Sequence, residues 1–254
     1  MNTIRLNLLL ISALAVVGFT GCKSEKIPEP APAPVQKLKV DVLPVFGSEA
    51  LLLDSVYTTA EGYDVKFTSI KFFVSGISTN NGATLDAALF DYANIGTKLL
   101  EMEGSPAGAT SLSASLGVTA TLNHSDPTAF AETSPLNILN SSDLHWGWNP
   151  GYIFVQIFAQ VDTIQDVNAL FDHFVTFHVG RDEYLQPLQF SGVNWMKVSE
   201  TNHLFTLKLD MEQFLQNGSN AIDLKTEFIT HTNPGQEAIS LKVIQNLKDA
   251  ISPY

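Results

Sequence analysis

Cysteine occurs once in the 254 residues, at position 22. A chain with a single cysteine forms no internal disulfide, so its fold rests on an apolar core. Basic residues are scarce too: 14 Lys and Arg stand against 26 Asp and Glu, a formal net charge of −12. That balance argues against nucleic acid or an anionic lipid surface as a partner. The longest apolar run, Leu6 to Phe19, falls short of the ~20 residues that a spanning helix needs. Also missing are His-Glu-x-x-His, Cys-x-x-Cys, Gly-x-Ser-x-Gly, a P-loop and Gly-x-Gly-x-x-Gly, which removes the main support for a hydrolase or nucleotide-binding reading. No strand–helix alternation of the βαβ kind runs through the chain.

What is present begins with the amino terminus. Arg5 precedes the apolar run, which ends in Phe19-Thr20-Gly21-Cys22, the pattern of a secretory signal with a lipoprotein box. Phe19 takes the place where leucine is usual. The expectation is a signal peptide over residues 1–21, with Cys22 lipidated as the first mature residue. The chain is then held to the membrane of the bacterial cell envelope, in the outer membrane. Residues 22–36, with Pro-Glu-Pro-Ala-Pro-Ala-Pro at 28–34, read as an extended tether. Residues 37–254 form the folded domain.

Within that domain the periodicity is mostly that of strands. Leu38, Val40 and Val42 alternate with Lys37, Lys39 and Asp41, as in a half-buried strand. Strand-like runs follow at 51–57, 65–77, 85–92, 112–118, 152–161, 174–180, 203–209 and 222–230. Asn80-Asn81-Gly82 supplies a hairpin turn. Asp210 is placed to cap a short helix over 211–216. Apolar residues at Ile239, Val243, Leu247, Ala250 and Ile251 have helical spacing. The fold class expected is all-β: an antiparallel β-sandwich with one short C-terminal amphipathic helix.

The chemistry concentrates at Leu144-His145-Trp146-Gly147-Trp148-Asn149-Pro150-Gly151-Tyr152. Two of the three tryptophans flank a glycine beside an imidazole, and Asn149-Pro150-Gly151 is a turn that feeds a strand apolar on both faces. Such indoles either plug the end of a core or line a site. A lone histidine in a β protein is more often a surface or satisfied core residue than a ligand, and His124, His173 and His203 are read so. His178 falls on the strand face opposite His173, Val175, Phe177 and Val179, just before Gly180. His231 ends the last strand run, ahead of Thr232-Asn233-Pro234.

These segments together resemble the methanobactin-associated periplasmic copper-binding protein (MbnP) family. The stretch His145 to Phe154 looks like its Trp-x-Trp-x-x-Gly-Tyr block, Phe177-His178-Val179-Gly180 its Phe-His-hydrophobic-Gly block, and Lys71-Phe72-Phe73-Val74-Ser75-Gly76-Ile77 its early strand. His231-Thr232-Asn233-Pro234 is similar to a C-terminal His/Asn-Pro element. The resemblance implies a β-rich, non-catalytic protein that binds one copper ion through histidine and, in some members, through a kynurenine made from tryptophan. It also implies a di-haem cytochrome c peroxidase-like partner for that oxidation. Carried over, it points to His178 and to Trp146 or Trp148 as ligands, with His145 and His231 as further candidates. An indole nitrogen has no lone pair to offer a metal, whereas kynurenine has an aniline nitrogen and a carbonyl. Two other readings remain: a surface glycan-binding module with Trp146 and Trp148 as a stacking platform, and a structural adhesion domain in which they plug one end.

Overall fold

The computed structural model describes residues 34–147, 150–164 and 170–254. The expected signal peptide, Cys22, the expected tether up to residue 33 and Trp148 lie outside the described residues. Among the described residues fifteen strands run in chain order: β1 (Lys37–Phe46), β2 (Glu49–Ala50), β3 (Val56–Thr58), β4 (Asp64–Thr79), β5 (Thr84–Asp91), β6 (Lys98–Glu103), β7 (Ser111–Leu116), β8 (His145–Gly147), β9 (Gly151–Asp162), β10 (His173–Gly180), β11 (Gln186–Ser191), β12 (Met196–Lys197), β13 (Asn202–Asp210), β14 (Ile229–Thr230) and β15 (Ile251–Pro253). The helices are α1 (Ala120–Asn123), α2 (Ile138–Ser141), α3 (Met211–Leu215) and α4 (Glu237–Ala250), and among the described residues none is long and apolar enough to cross a membrane.

The strands form two sheets. The first runs β12-β13-β1-β2, with β6 and β15 attached, and the second runs β11-β7-β4-β9-β10-β14, with β3, β5 and β8 attached. Strict alternation in β1 buries Leu38, Val40 and Val42 completely, because successive side chains point to opposite faces of a strand. Across the sandwich, Val42 and Leu207 of the first sheet meet Phe72, Leu112 and Phe190 of the second around a small apolar void. This is the all-β sandwich expected of the sequence. Most ladders are antiparallel, but β1 pairs β13 in parallel and β10 pairs β14 in parallel.

The sixteen-residue β4 organises the second sheet: it pairs with β9 along Asp64–Phe72 and with β7 from Val74, while β3 and β5 take its other edge. β9 is buried almost throughout. Asp210 caps α3 by accepting from the Glu212 and Gln213 N–H groups. α4 turns Val243, Ile244, Leu247 and Ala250 inward and packs on α3, β10 and β13. Two strands are shorter than their patterns: of the run 51–57 only Val56 and Tyr57 are strand, within β3, and of the run 222–230 only Ile229–Thr230. Asp223 draws the preceding residues into a turn by accepting from the Lys225 N–H at 3.0 Å and the Thr226 hydroxyl at 2.8 Å, a local bond that competes with a ladder.

Candidate metal centre

Two pairings at one end of the second sheet bring distant histidines together. β10 runs antiparallel to β9, with His178 opposite Gln156, and parallel to β14, with Phe177 level with Thr230. His231, one residue past β14, is therefore level with His178. Their ring centroids are 5.0 Å apart and their planes nearly perpendicular, at 82°. Phe158 meets His178 edge-on from β9, with a centroid distance of 5.2 Å. Alternation in β10 sends Val175, Phe177 and Val179 into the sandwich and His178 to the outer face.

The His178 Nε2 is buried and has no hydrogen-bond partner among the described residues. Burial, reinforced by the nearby His231, lowers the His178 pKa from 6.5 to about 4. The ring is thus neutral at physiological pH, and a neutral imidazole has one nitrogen with a free lone pair. A buried polar atom left unsatisfied costs about 1–3 kcal/mol.

The turn that carries His231 is pinned from two sides. The Thr232 hydroxyl donates to the His178 carbonyl at 3.1 Å and accepts from the Gly180 N–H at 3.3 Å. The His231 and Asn233 N–H groups donate to Gln236 Oε1 at 2.9 and 3.2 Å, and the Thr230 and Ser240 hydroxyls meet at 2.6 Å. Thr232 itself has φ +57°, a region that a β-branched residue enters at a cost of ~1–3 kcal/mol.

The His-Trp segment reaches the same strand. β8 folds back on β9, His145 opposite Tyr152. A Cβ at Gly180 would fall 2.5 Å from the Tyr152 carbonyl oxygen and 2.7 Å from Trp146 Cζ3. The six-membered ring of Trp146 thus packs directly on the Gly180 backbone, two residues beyond His178, and only glycine leaves the room. Trp146 is partly buried against the core, folded inward rather than laid out as an exposed stacking platform. Gly151 is constrained likewise: its φ is +73°, and a Cβ would sit 2.2 Å from Asn123 Oδ1, the atom that accepts the Tyr152 N–H at 2.8 Å. The Tyr152 hydroxyl donates to the Leu136 carbonyl, and burial pushes its pKa up to about 12.

His145 has a different environment. Its ring meets Tyr152 edge-on at 4.8 Å and its Nδ1 accepts the Gly147 N–H at 3.2 Å, while burial lowers its pKa. Among the described residues no three His, Cys, Asp or Glu side chains are close enough to share an ion. The structure therefore joins His178 with His231, packs Trp146 on Gly180 two residues beyond His178, and keeps His145 on Tyr152. Trp148 and Cys22 lie outside the described residues. The other histidines are His124, bound to Asp182 at 2.9 Å, His173, stacked on Phe228 at 4.5 Å, and His203, which is buried with Nδ1 unpartnered among the described residues.

Further along the outer face, Gln156 separates His178 from Lys71. Lys71 Nζ lies 3.1 Å from Asp91 and 2.7 Å from Asp143, and so ties β4 to the residues just before His145. Burial alone would lower its pKa, but bonds to Asp143 and Asp91 outweigh that and raise it. Sequence reasoning missed Thr232, Gln236 and Gln156. The signal for Thr232 was its place directly after His231; the two glutamines offered none.

The family model of MbnP matches residues 35–235. By sequence, no curated protein matches the chain. Among solved structures, MbnP from Methylosinus trichosporium has a similar fold, with a TM-score of 0.55 and 14% identity over 82% of this chain and 88% of that one.

Proposed function

The chain belongs to the MbnP family, and from that membership we propose that it is a lipid-anchored copper-binding protein of the bacterial cell envelope, acting by binding rather than turnover. The observation that carries the reading is the buried, unpartnered Nε2 of His178 with the His231 imidazole against it. The residues fit the ion: imidazole is a natural ligand for copper, and copper binds most tightly among the divalent first-row metals. His178 is already neutral, so no proton has to leave it before a metal is held. One ion per chain, held by His178 and His231, would supply the partner that Nε2 lacks.

Trp146 is the third position of the proposal. As an indole it can only donate its N–H, but oxidised to kynurenine it would offer an aniline nitrogen and a carbonyl. Its packing on Gly180 supports Trp146 as the residue that a di-haem cytochrome c peroxidase-like partner would oxidise. Cys22 would carry the lipid and residues 23–36 the spacing from the outer membrane.

The test is metal analysis and peptide mass spectrometry of the protein purified from its native host. Stoichiometric copper, with the Trp146 peptide at the mass of its kynurenine form, is the expected result. Protein isolated with zinc alone or without metal would overturn the copper reading, and Trp146 and Trp148 both unmodified would remove the kynurenine.

A further inference from the structure

We propose that Thr232 is the positioning residue of the histidine pair, its hydroxyl clamping the turn that bears His231 onto the β10 backbone at His178 and Gly180. This rests on the copper reading only for its consequence for binding. The placement itself follows from how a parallel ladder ends.

β10 and β14 pair over Thr176↔Ile229 and Phe177↔Thr230 only. Along that edge of β10 the Thr176 N–H donates to the Phe228 carbonyl at 2.8 Å. In an extended strand, alternate residues present their polar groups to the same neighbour, so His178 and Gly180 are next on this edge. A continued strand would offer the Thr232 N–H to the His178 carbonyl. Instead the chain turns at Thr232, with φ +57°, and that N–H bends back to the Thr230 hydroxyl at 3.2 Å. The Thr232 side chain takes over the ladder, donating to the His178 carbonyl at 3.1 Å and accepting the Gly180 N–H at 3.3 Å. A hydroxyl is the group required, since it donates and accepts at one atom.

The arrangement has a consequence for the pair. His231 leaves the ladder at the point where the backbone stops holding it, yet its ring must stay level with His178. Gln236 fixes the far side of the turn through the His231 and Asn233 N–H groups, but it anchors that turn to the start of α4 and not to β10. Among the described residues, the Thr232 hydroxyl is the group that links the residue after His231 to the residue that carries the other imidazole. It also bonds Gly180, on which Trp146 packs, so one side chain ties the His231 turn to the stretch of β10 that carries His178 and receives Trp146. Valine has nearly the shape of threonine but can neither donate nor accept, whereas serine keeps the hydroxyl.

The experiment compares the full mature chain with Thr232→Val and Thr232→Ser. In the metal-free proteins, nuclear Overhauser contacts between the His178 and His231 rings should persist in the wild type and Thr232→Ser and be lost in Thr232→Val. Copper affinity should fall about tenfold in Thr232→Val, the equivalent of a typical hydrogen bond or two, and return in Thr232→Ser. The Gly180 amide of the unmutated protein should be protected from hydrogen exchange, which reads the clamp even if Thr232→Val fails to fold. Ring contacts and affinity unchanged in Thr232→Val, or a Gly180 amide that exchanges freely, would overturn the proposal. If the wild type binds no copper, the copper reading fails, while the ring contacts and the Gly180 amide still decide the role of Thr232.

Discussion

His178 and His231 stand edge to face, with ring centroids 5.0 Å apart, and nothing in the local sequence of either announces the other. What joins them is the parallel pairing of β10 with β14, which puts the residue after a two-residue strand level with a histidine near the end of β10.

The lowered His178 pKa makes the stability of the metal-free protein depend on pH. The unfolded imidazole takes a proton near 6.5 and the folded one only near 4, so between those values the unfolded state binds more protons. The contribution is fully present above pH 6.5 and is lost as the pH falls toward 4, by on the order of 3 kcal/mol at most. Urea unfolding at pH 7 and pH 5 should show the drop, and His178→Gln should flatten it. Equal pH dependence in the two proteins would refute the assignment.

Gly180→Ala should be among the most damaging small substitutions. The added methyl would meet the Tyr152 carbonyl oxygen and the Trp146 ring, an overpacking that costs typically about 1–3 kcal/mol. Denaturant midpoints check the size, and tryptophan fluorescence checks that Trp146 has moved.

Lys71 should matter through Asp91 more than through Asp143. The Asp91 carboxylate is 8% exposed and that of Asp143 is 55%. Lys71→Met, which strands a buried charge, should cost about 3 kcal/mol, and Asp143→Asn less than about 1 kcal/mol. Comparable losses in the two variants would contradict this ordering.

Cys22→Ser should move the protein from the membrane fraction to the soluble one and abolish labelling by fatty acid. Label retained on the variant would show that the anchor is elsewhere.

β9, β10 and the α3 cap were legible because their patterns are strong. β9 is apolar on both faces and buried on both, β10 separates His178 from the core set by simple alternation, and Asp210 caps its helix as its position suggested. β6 (Lys98–Glu103) and β11 (Gln186–Ser191) had no such signature: their runs are short and interrupted by charge or proline, and their pairing with β1 and β7 supplies the order. The pairing of His231 with His178 depends on a parallel ladder between segments far apart in the chain, which periodicity does not encode. His145 shows the converse, since it is next to Trp146 in sequence but its ring turns onto Tyr152.

The most direct test of the central claim is copper titration of the metal-free protein, wild type against His178→Ala and His231→Ala, with folding checked by circular dichroism. The account predicts one tight site per wild-type chain and loss of tight binding in both variants while the sandwich stays folded. Undiminished copper binding by His178→Ala would contradict it.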